Sequence, residues 1–366
     1  RSIILKEVFE AYGSLCTGRE PQLERPRPYG DYISWLTDQR LEDAESYWRA
    51  ALAGFTDPTP IAIDQKPVNT VRQGREFADE RIQLSEQSTT RLSEFAREHK
   101  LTLSTLMQGA WALLLSTYAR EEDVLFGVTV SGRSAPLRGV ESMVGLFINT
   151  LPLRVKLSTD SKTLEWLWRL QEQQFALQQY EYCSLLDIQS WGEVPRGTPL
   201  FESILVFENL PVSIGSKTAN GNLKVQSDRS YGSATGYPLT LLAMPGQRFA
   251  LQLVYDRARF DSETVSRMLT HLQTVLEELV VDPERQLSEI SVLRSEQKQQ
   301  LLFDWNQTST DYEKDVCVHQ LIERQATLKP TAIAAIFQDQ KLTRKSIGKT
   351  SALAWCWTRI SGWDLP

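Results

Sequence analysis

The sequence predicts an α/β fold with helices and strands mixed along its whole length, and three stretches carry that prediction. Phe249, Leu251, Leu253 and Tyr255 alternate with Ala250, Gln252 and Val254, and Pro245-Gly246 separates them from an apolar run at 238–243. That is the pattern of a β-hairpin. Behind Asp261, an N-cap residue, Val265, Met268, Leu269, Leu272, Val275, Leu276 and Leu279 recur with helical period. Between these types lies the continuous apolar run at 124–130, which suits a buried strand.

The remaining elements follow in order. Ile3, Ile4, Val8, Phe9 and Tyr12 predict an amphipathic helix over 2–14, with Lys6, Glu7 and Glu10 on its polar face. A Pro-rich loop (Pro21, Pro26, Pro28) leads into Tyr29-Gly-Asp31-Tyr32-Ile-Ser-Trp35, then a second helix through Ala44, Tyr47, Trp48 and Leu52. Residues 56–75, with Pro58, Pro60, Pro67 and Gly74, read as a linker. Residues 77–84 suit a strand. Ser85 is placed to cap a helix carrying Leu92, Phe95, Ala96 and His99, and Ser104 to cap the apolar helix through Leu106, Ala110, Leu113 and Leu114. After the strand at 124–130 the chain breaks at Ser131-Gly132-Arg133, passes Pro136 and Gly139, and returns through Gly145-Leu-Phe-Ile-Asn149 into a second apolar run at 150–155. That connection is too long for a tight hairpin, leaving a binding loop or a plain crossover. A helix over 162–180, a strand over 200–208 and a polar loop at 215–221 complete the region before the hairpin. A short helix and polar connector follow at 294–311, and 312–342 opens a new unit. From Arg344 no periodicity assigns structure, although Trp355, Trp357 and Trp363 crowd the stretch.

Composition excludes several classes. With 366 residues, 41% hydrophobic and 23% charged, the chain reads as soluble and globular, with length for two or three domains. A net charge of -6 does not suit a nucleic-acid surface, which requires a basic patch. Cys16, Cys183, Cys317 and Cys356 show no paired spacing, so no metal site and no disulfide framework is expected, and a reduced cytoplasmic setting is. No apolar run approaches the ~20 residues of a membrane span; residues 103–118 come nearest and are interrupted by Gln108 and Ser116. The amino end lacks a signal-peptide pattern and opens on Arg1 within an element, as a fragment would.

Several segments, in this order, resemble the condensation domain of nonribosomal peptide synthetases in its C-terminal two-thirds. Tyr29-Gly-Asp-Tyr-Ile-Ser-Trp35 is similar to the family's Tyr-x-Asp-Tyr-x-x-Trp motif. Val130-Ser-Gly-Arg133 through Met143-Val-Gly-Leu-Phe-Ile-Asn-Thr-Leu-Pro152 resembles its loop motif nearly residue for residue, and Pro199-Leu-Phe through Val206-Phe207 its later strand motif. Trp305-Asn306, His319-Gln-Leu-Ile-Glu and Ala332-Ile333-Ala334 resemble the opening of the adenylation domain that follows. The resemblance implies a chloramphenicol-acetyltransferase-like fold with mixed sheets, packed helices and an incomplete N-lobe. It divides the chain into a remnant of the N-lobe and lobe-connecting helix (1–55), a linker (56–75), the C-lobe (76–290), an interdomain linker (291–311), the start of an adenylation domain (312–343) and an atypical tail (344–366). The tail is either frameshifted or divergent.

The reaction so implied is amide formation: a carrier-bound amine attacks a carrier-bound acyl or aminoacyl thioester. It needs close positioning, removal of the amine proton and donors toward the developing oxyanion. No cofactor would be bound directly. Phosphopantetheine arms of peptidyl or aminoacyl carrier proteins would enter from opposite faces of a cleft, beside an adjoining adenylation domain, with no nucleic-acid or membrane partner. The family's catalytic motif of two adjacent histidines, three variable residues and Asp-Gly is not in this sequence: His99, His271 and His319 are its only histidines. No catalytic residue is therefore assigned to them, and packing or surface roles are expected. Gly145, Asn149 and Ser131 are substrate-channel candidates, because glycine allows close backbone approach and asparagine offers both donor and acceptor. Ser131 also suits the turn. Arg133, with its planar fork, is a candidate for the lobe junction. Tyr29, Tyr32 and Trp35 are expected to pack rather than to stack on a ligand. A non-catalytic carrier-protein or interdomain binding module left by truncation is the alternative function. A stand-alone coenzyme A-dependent acyltransferase is a third, disfavoured by the segment at 312–343.

Overall fold

A computed structural model describes residues 2–23, 25–61, 76–208, 235–309, 316–337 and 340–348. Most of the expected linker at 56–75, the polar loop at 215–221 and the three tail tryptophans lie outside the described residues. By contacts the chain divides into two units, Arg1–Ser295 and Glu296–Pro366.

Six strands of the first unit form one mixed sheet. They are β1 (Phe77–Gln83), β2 (Asp123–Val130), β3 (Asn149–Lys156), β4 (Ser203–Phe207), β5 (Leu239–Met244) and β6 (Ala250–Asp256), in the order β1-β6-β5-β4-β2-β3. The predicted hairpin is present as the antiparallel β5–β6 pair, Leu239 opposite Tyr255. The register places both faces of β6 in the interior, so the alternation read along it does not separate core from solvent. Within it the buried Gln252 donates to Asp79 Oδ2 at 2.9 Å. Parallel pairing joins β5 to β4 and β4 to β2.

Helices α1 (Ser2–Cys16), α2 (Gly30–Thr37), α3 (Leu41–Leu52), α4 (Glu86–Glu98), α5 (Leu103–Ala119), α6 (Thr163–Gln178), α7 (Leu185–Trp191) and α8 (Ser262–Leu279) complete the first unit. The main core is one cluster in which α5 is buried on every side from Thr105 to Leu115, with Met107, Ala110, Trp111 and Leu114 fully buried. The apolar stripe of α8 packs on α5 and β1. Ser85 and Asp261 cap α4 and α8 as predicted, accepting from the N–H of Ser88 and Thr264. The cap of α5 is Thr102, whose hydroxyl accepts from Thr105 N–H at 3.0 Å, not Ser104. Thr102 has the extended backbone an N-cap requires, and Ser104 lies inside the first turn. The stretch after Tyr29 is itself helical, and α7, begun by the Ser184 cap, is an element that the sequence pattern does not announce.

The edge strand β3 is closed by side chains of α6. Gln173 donates to Arg154 O at 2.7 Å and Trp166 to Lys156 O at 3.2 Å, removing two acceptors that would template another strand. Arg154 itself is buried, pairs bidentately with Asp123 and donates to Ala51 O and Ala53 O, tying the end of α3 to the sheet.

The second unit holds α9 (Ser295–Leu302) at its boundary, then α10 (Val318–Leu328), the antiparallel pair β7 (Ile333–Phe337) and β8 (Gln340–Thr343), and α11 (Arg344–Gly348). Where the sequence assigned no structure, the first five residues from Arg344 thus form a short helix.

Candidate functional site

The connection at 131–148 leaves and returns to one point of the sheet. β2 and β3 pair antiparallel down to Val130 opposite Asn149, so the long loop is a hairpin connection rather than a crossover. Its two limbs are pressed together at Gly132. There φ is +65°, and a Cβ would lie 1.8 Å from the carbonyl oxygen of Phe147. Only glycine fits a left-handed residue with backbone at that distance.

Inside the loop, Arg133 fastens the chain to itself. Its guanidinium donates to Val140 O and, at 3.0 Å, to Met143 O, and it lies 4.1 Å from the centre of the Phe147 ring. Ala135, Val140, Met143 and Phe147 then bury with Tyr32 of α2 as a second small hydrophobic cluster, joined by Tyr29, Trp35, Leu36 and Leu137. The rings interlock: Tyr32 is 4.4 Å and Tyr29 5.1 Å from Phe147, and Trp35 meets Tyr182 edge-on at 5.9 Å. Tyr29, Tyr32 and Trp35 therefore pack, as expected of them. Arg27 adds a second tether, donating to Arg138 O at 2.8 Å.

Gly145 sits where a ring approaches the backbone. A Cβ there would fall 2.0 Å from the Tyr29 ring, whose hydroxyl donates to the neighbouring Leu146 O. The close approach that glycine permits is thus taken up by Tyr29. Its other side faces a cavity of about 220 Å³ lined by Ile3, Ile4, Arg133, Met143, Val144 and Gly145. Leu146 and Ile148 stand outward, 83% and 68% exposed.

Asn149 and Ser131 do not line that cavity. The Asn149 amide donates to Glu181 O at 2.9 Å and Cys183 O at 2.7 Å, and its oxygen accepts from Thr150 N–H. Ser131 Oγ accepts from Arg133 N–H at 3.3 Å, a turn contact. The structure brings Arg133 and Gly145 to one cavity and places Asn149 and Ser131 at the neck of the loop.

A residue that the sequence did not single out lies at that neck. Glu181, in the connector between α6 and α7, is 7% exposed. Its carboxylate accepts from Ser134 Oγ–H at 2.8 Å, and the nearby N–H groups of Gly132 and Ser134 favour its charged form. Burial raises its pKa above the ordinary carboxylate range, and these donors pull part of the way back. Burial likewise raises the Tyr32 phenol, with smaller contributions from Tyr29 and Glu181, and pushes the Cys183 thiol up to about 11. No cluster able to hold a metal occurs among the described residues. The arrangement is a stiffened, apolar platform. Of the histidines, His99 ends α4, His271 is buried in α8 and His319 lies on α10.

Comparison with known proteins gives this platform its context. Residues 1–302 match the family described as Condensation domain. Among the relatives, one of the linear gramicidin synthase proteins of Brevibacillus parabrevis is 43% identical over 341 residues, 93% of this chain, and another from the same synthase is 40% identical over 343 residues. The chain spans only 4% and 7% of the length of those two relatives. Bacitracin synthase 3 from Bacillus licheniformis is 33% identical over 352 residues, 95% of this chain and 6% of that protein. Among solved structures, holo-AB3403, a four domain nonribosomal peptide synthetase bound to AMP and glycine, superposes with a TM-score of 0.70 at 17% identity, covering 99% of this chain and 28% of that one. That likeness confirms the condensation-domain fold with its mixed sheet and packed helices. The chain belongs to the condensation domain family of nonribosomal peptide synthetases.

Proposed function

We propose that this chain serves as the acceptor-side lobe of a domain that forms an amide bond between a carrier-bound acyl or aminoacyl thioester and a carrier-bound amine. The family match across residues 1–302 carries the reading. The loop supports it: Arg133, Phe147 and the α2 aromatics hold a rigid floor with Gly145 at a cavity and Leu146 and Ile148 outward, a surface on which two thioester arms can be held in attack geometry. On this reading Gly145 lines the floor beside the substrates, Asn149 and Ser131 set the neck that orients it, and Arg133 keeps the loop folded where two lobes would meet. Partners are peptidyl or aminoacyl carrier proteins, whose phosphopantetheine arms deliver both substrates, in a cytoplasmic setting. No helix among the described residues is long and apolar enough to cross a membrane.

Downstream, we read 291–311 as an interdomain linker, 312–343 as the start of an adenylation domain, and 344–366 as an atypical tail. The alignment to the first of the gramicidin synthase relatives covers 93% of the chain and so runs past residue 302, where the family match ends, which supports continuity into a following domain. Upstream of that, 1–55, 56–75 and 76–290 divide as N-lobe remnant with connecting helix, linker and C-lobe.

One observation favours a second reading, a non-catalytic carrier-binding module: the paired-histidine motif is not among these residues. The experiment that separates them offers loaded donor and acceptor carrier proteins to the chain alone and to the chain joined to the amino-terminal lobe of a homologous condensation domain. Mass spectrometry then follows dipeptidyl thioester. We expect none from the chain alone and product from the joined protein. Carrier binding without product from either supports the binding module.

A further inference from the structure

We propose that Glu181 is the positioning residue of the 131–148 loop, fastening its outgoing limb through the side chain and its returning limb through the main chain. The outgoing limb is held by the carboxylate, which accepts from Ser134 Oγ–H at 2.8 Å and whose charged form the nearby Gly132 and Ser134 N–H groups favour. The returning limb is held by the carbonyl oxygen of the same residue, which accepts from Asn149 Nδ2 at 2.9 Å. Gly132 is also the point where the limbs touch, its Cα facing Phe147 O. One residue of the α6–α7 connector therefore touches both ends of the loop at its narrowest place, with Cys183 O sharing the Asn149 amide at 2.7 Å.

The choice of a carboxylate here is not explained by stability. No lysine or arginine pairs with Glu181 among the described residues, and it is over nine-tenths buried. A desolvated charge without a counter-ion is costly, and an apolar side chain of similar volume would fill the space at lower cost. What a carboxylate supplies and an apolar group does not is direction: its Oε2 fixes the turn at Ser134 through a charge-assisted hydrogen bond. Tyr32 is the titratable side chain facing it from α2. The same turn leads into Arg133, so the guanidinium that clamps Val140 and Met143 starts from a fixed origin. The consequence for amide formation rests on the function proposed above; the fastening itself does not.

Hydrogen exchange on the whole chain tests the fastening without any turnover. In Glu181→Gln one oxygen is replaced by an NH2 that opposes the turn donors. Exchange of the 132–148 amides is expected to rise roughly tenfold or more, while the β2–β3 ladder and α6 keep their protection and the melting temperature stays near that of the parent. A residue acting only through overall stability would instead raise exchange in the ladder and α6 together with the loop, as the melting temperature falls, and that pattern overturns the inference. Unchanged exchange in 132–148 overturns it as well. Should Glu181→Gln not fold, Ser134→Ala decides: it removes one donor and keeps the carboxylate. A loop-confined rise of about threefold is expected there, and no rise sinks the proposal. Absence of amide formation in the joined protein would count against the proposed reaction and leave this test standing.

Discussion

The main core under the six-stranded sheet and the small cluster in the 131–148 loop are held together by different means. In the main core, α5 and α8 bury long apolar stripes against several strands, and neighbouring contacts back up one another. The loop cluster has five buried members, too few to fix a backbone by burial alone, and is drawn tight by directed polar bonds that involve Arg133, Tyr29, Asn149 and Glu181. Burial is proportional to area and indifferent to direction, so it makes a stable scaffold. Hydrogen bonds at defined angles make a surface of defined shape. A platform that must present substrates in register needs the second kind of bonding on a foundation of the first.

The largest effect expected anywhere in the molecule is therefore in the core. Trp111 is fully buried in α5, and its indole N–H has no partner among the described residues, so truncation removes packing alone. Trp111→Ala should cost about 3–5 kcal/mol, read as a lowered urea midpoint with every region losing protection together. Protection lost only near α5 would contradict the view of the core as one cooperative unit.

Gly132→Ala probes the other region and should give an intermediate effect. A left-handed φ costs an alanine about 1–2 kcal/mol, and the added Cβ cannot share space with Phe147 O, 1.8 Å away, unless the limbs separate. Exchange should rise across 132–148, and the near-ultraviolet dichroism of the Tyr29–Tyr32–Phe147 cluster should weaken, with the sheet intact. Full unfolding of the sheet would show that the loop cluster and the core are a single unit after all.

The two regions also differ in how far the sequence reveals them. Periodicity is a property of one segment, and the core elements are each amphipathic or apolar over a single run. That is why the hairpin β5–β6, helix α8 and the caps Ser85 and Asp261 are found as predicted. Its errors are local ones: Thr102 caps α5 because its backbone is extended, though Ser104 has as good a side chain. The loop stands out as a family motif, yet the duties of its residues depend on segments distant in the chain. Nothing near Gly145 indicates that the Tyr29 ring rests on it, and nothing near Asn149 names Glu181 O and Cys183 O as its acceptors. Glu181 between Tyr180 and Tyr182 reads as an ordinary surface carboxylate until the turn at Gly132 is placed above it. A single charge just beyond a helix, flanked by aromatics, was the only signal available.

Acidification should separate the regions by the smallest effect and by sign. In the core, His271 Nδ1 lies 2.9 Å from the Tyr118 hydroxyl and its Nε2 is buried without a partner among the described residues. Burial first, and then Arg267, holds its pKa below the ordinary value. The unfolded chain then takes up that proton more readily than the folded one, so the contribution of neutral His271 is complete above about pH 6.5 and is lost as pH falls through the lower folded value. Glu181 runs the other way: its raised pKa means the folded chain takes the proton more readily, so its linkage favours the fold at acid pH and fades as pH rises through the folded value. A proton on that carboxylate nevertheless competes with the Gly132 and Ser134 donors for its oxygens, so the loop loosens while the fold as a whole does not. As pH is lowered from 7.5, His271→Gln should flatten the acid decline of the urea midpoint and leave the acid-induced rise in 132–148 exchange, corrected for intrinsic rate, as it is in the parent. Glu181→Gln should remove that rise and, by removing its acid-side linkage, steepen the decline slightly. If either substitution abolished both, the core and the loop would share one titrating switch, and the distinction between a buried scaffold and a polar-bonded platform would fail at that residue.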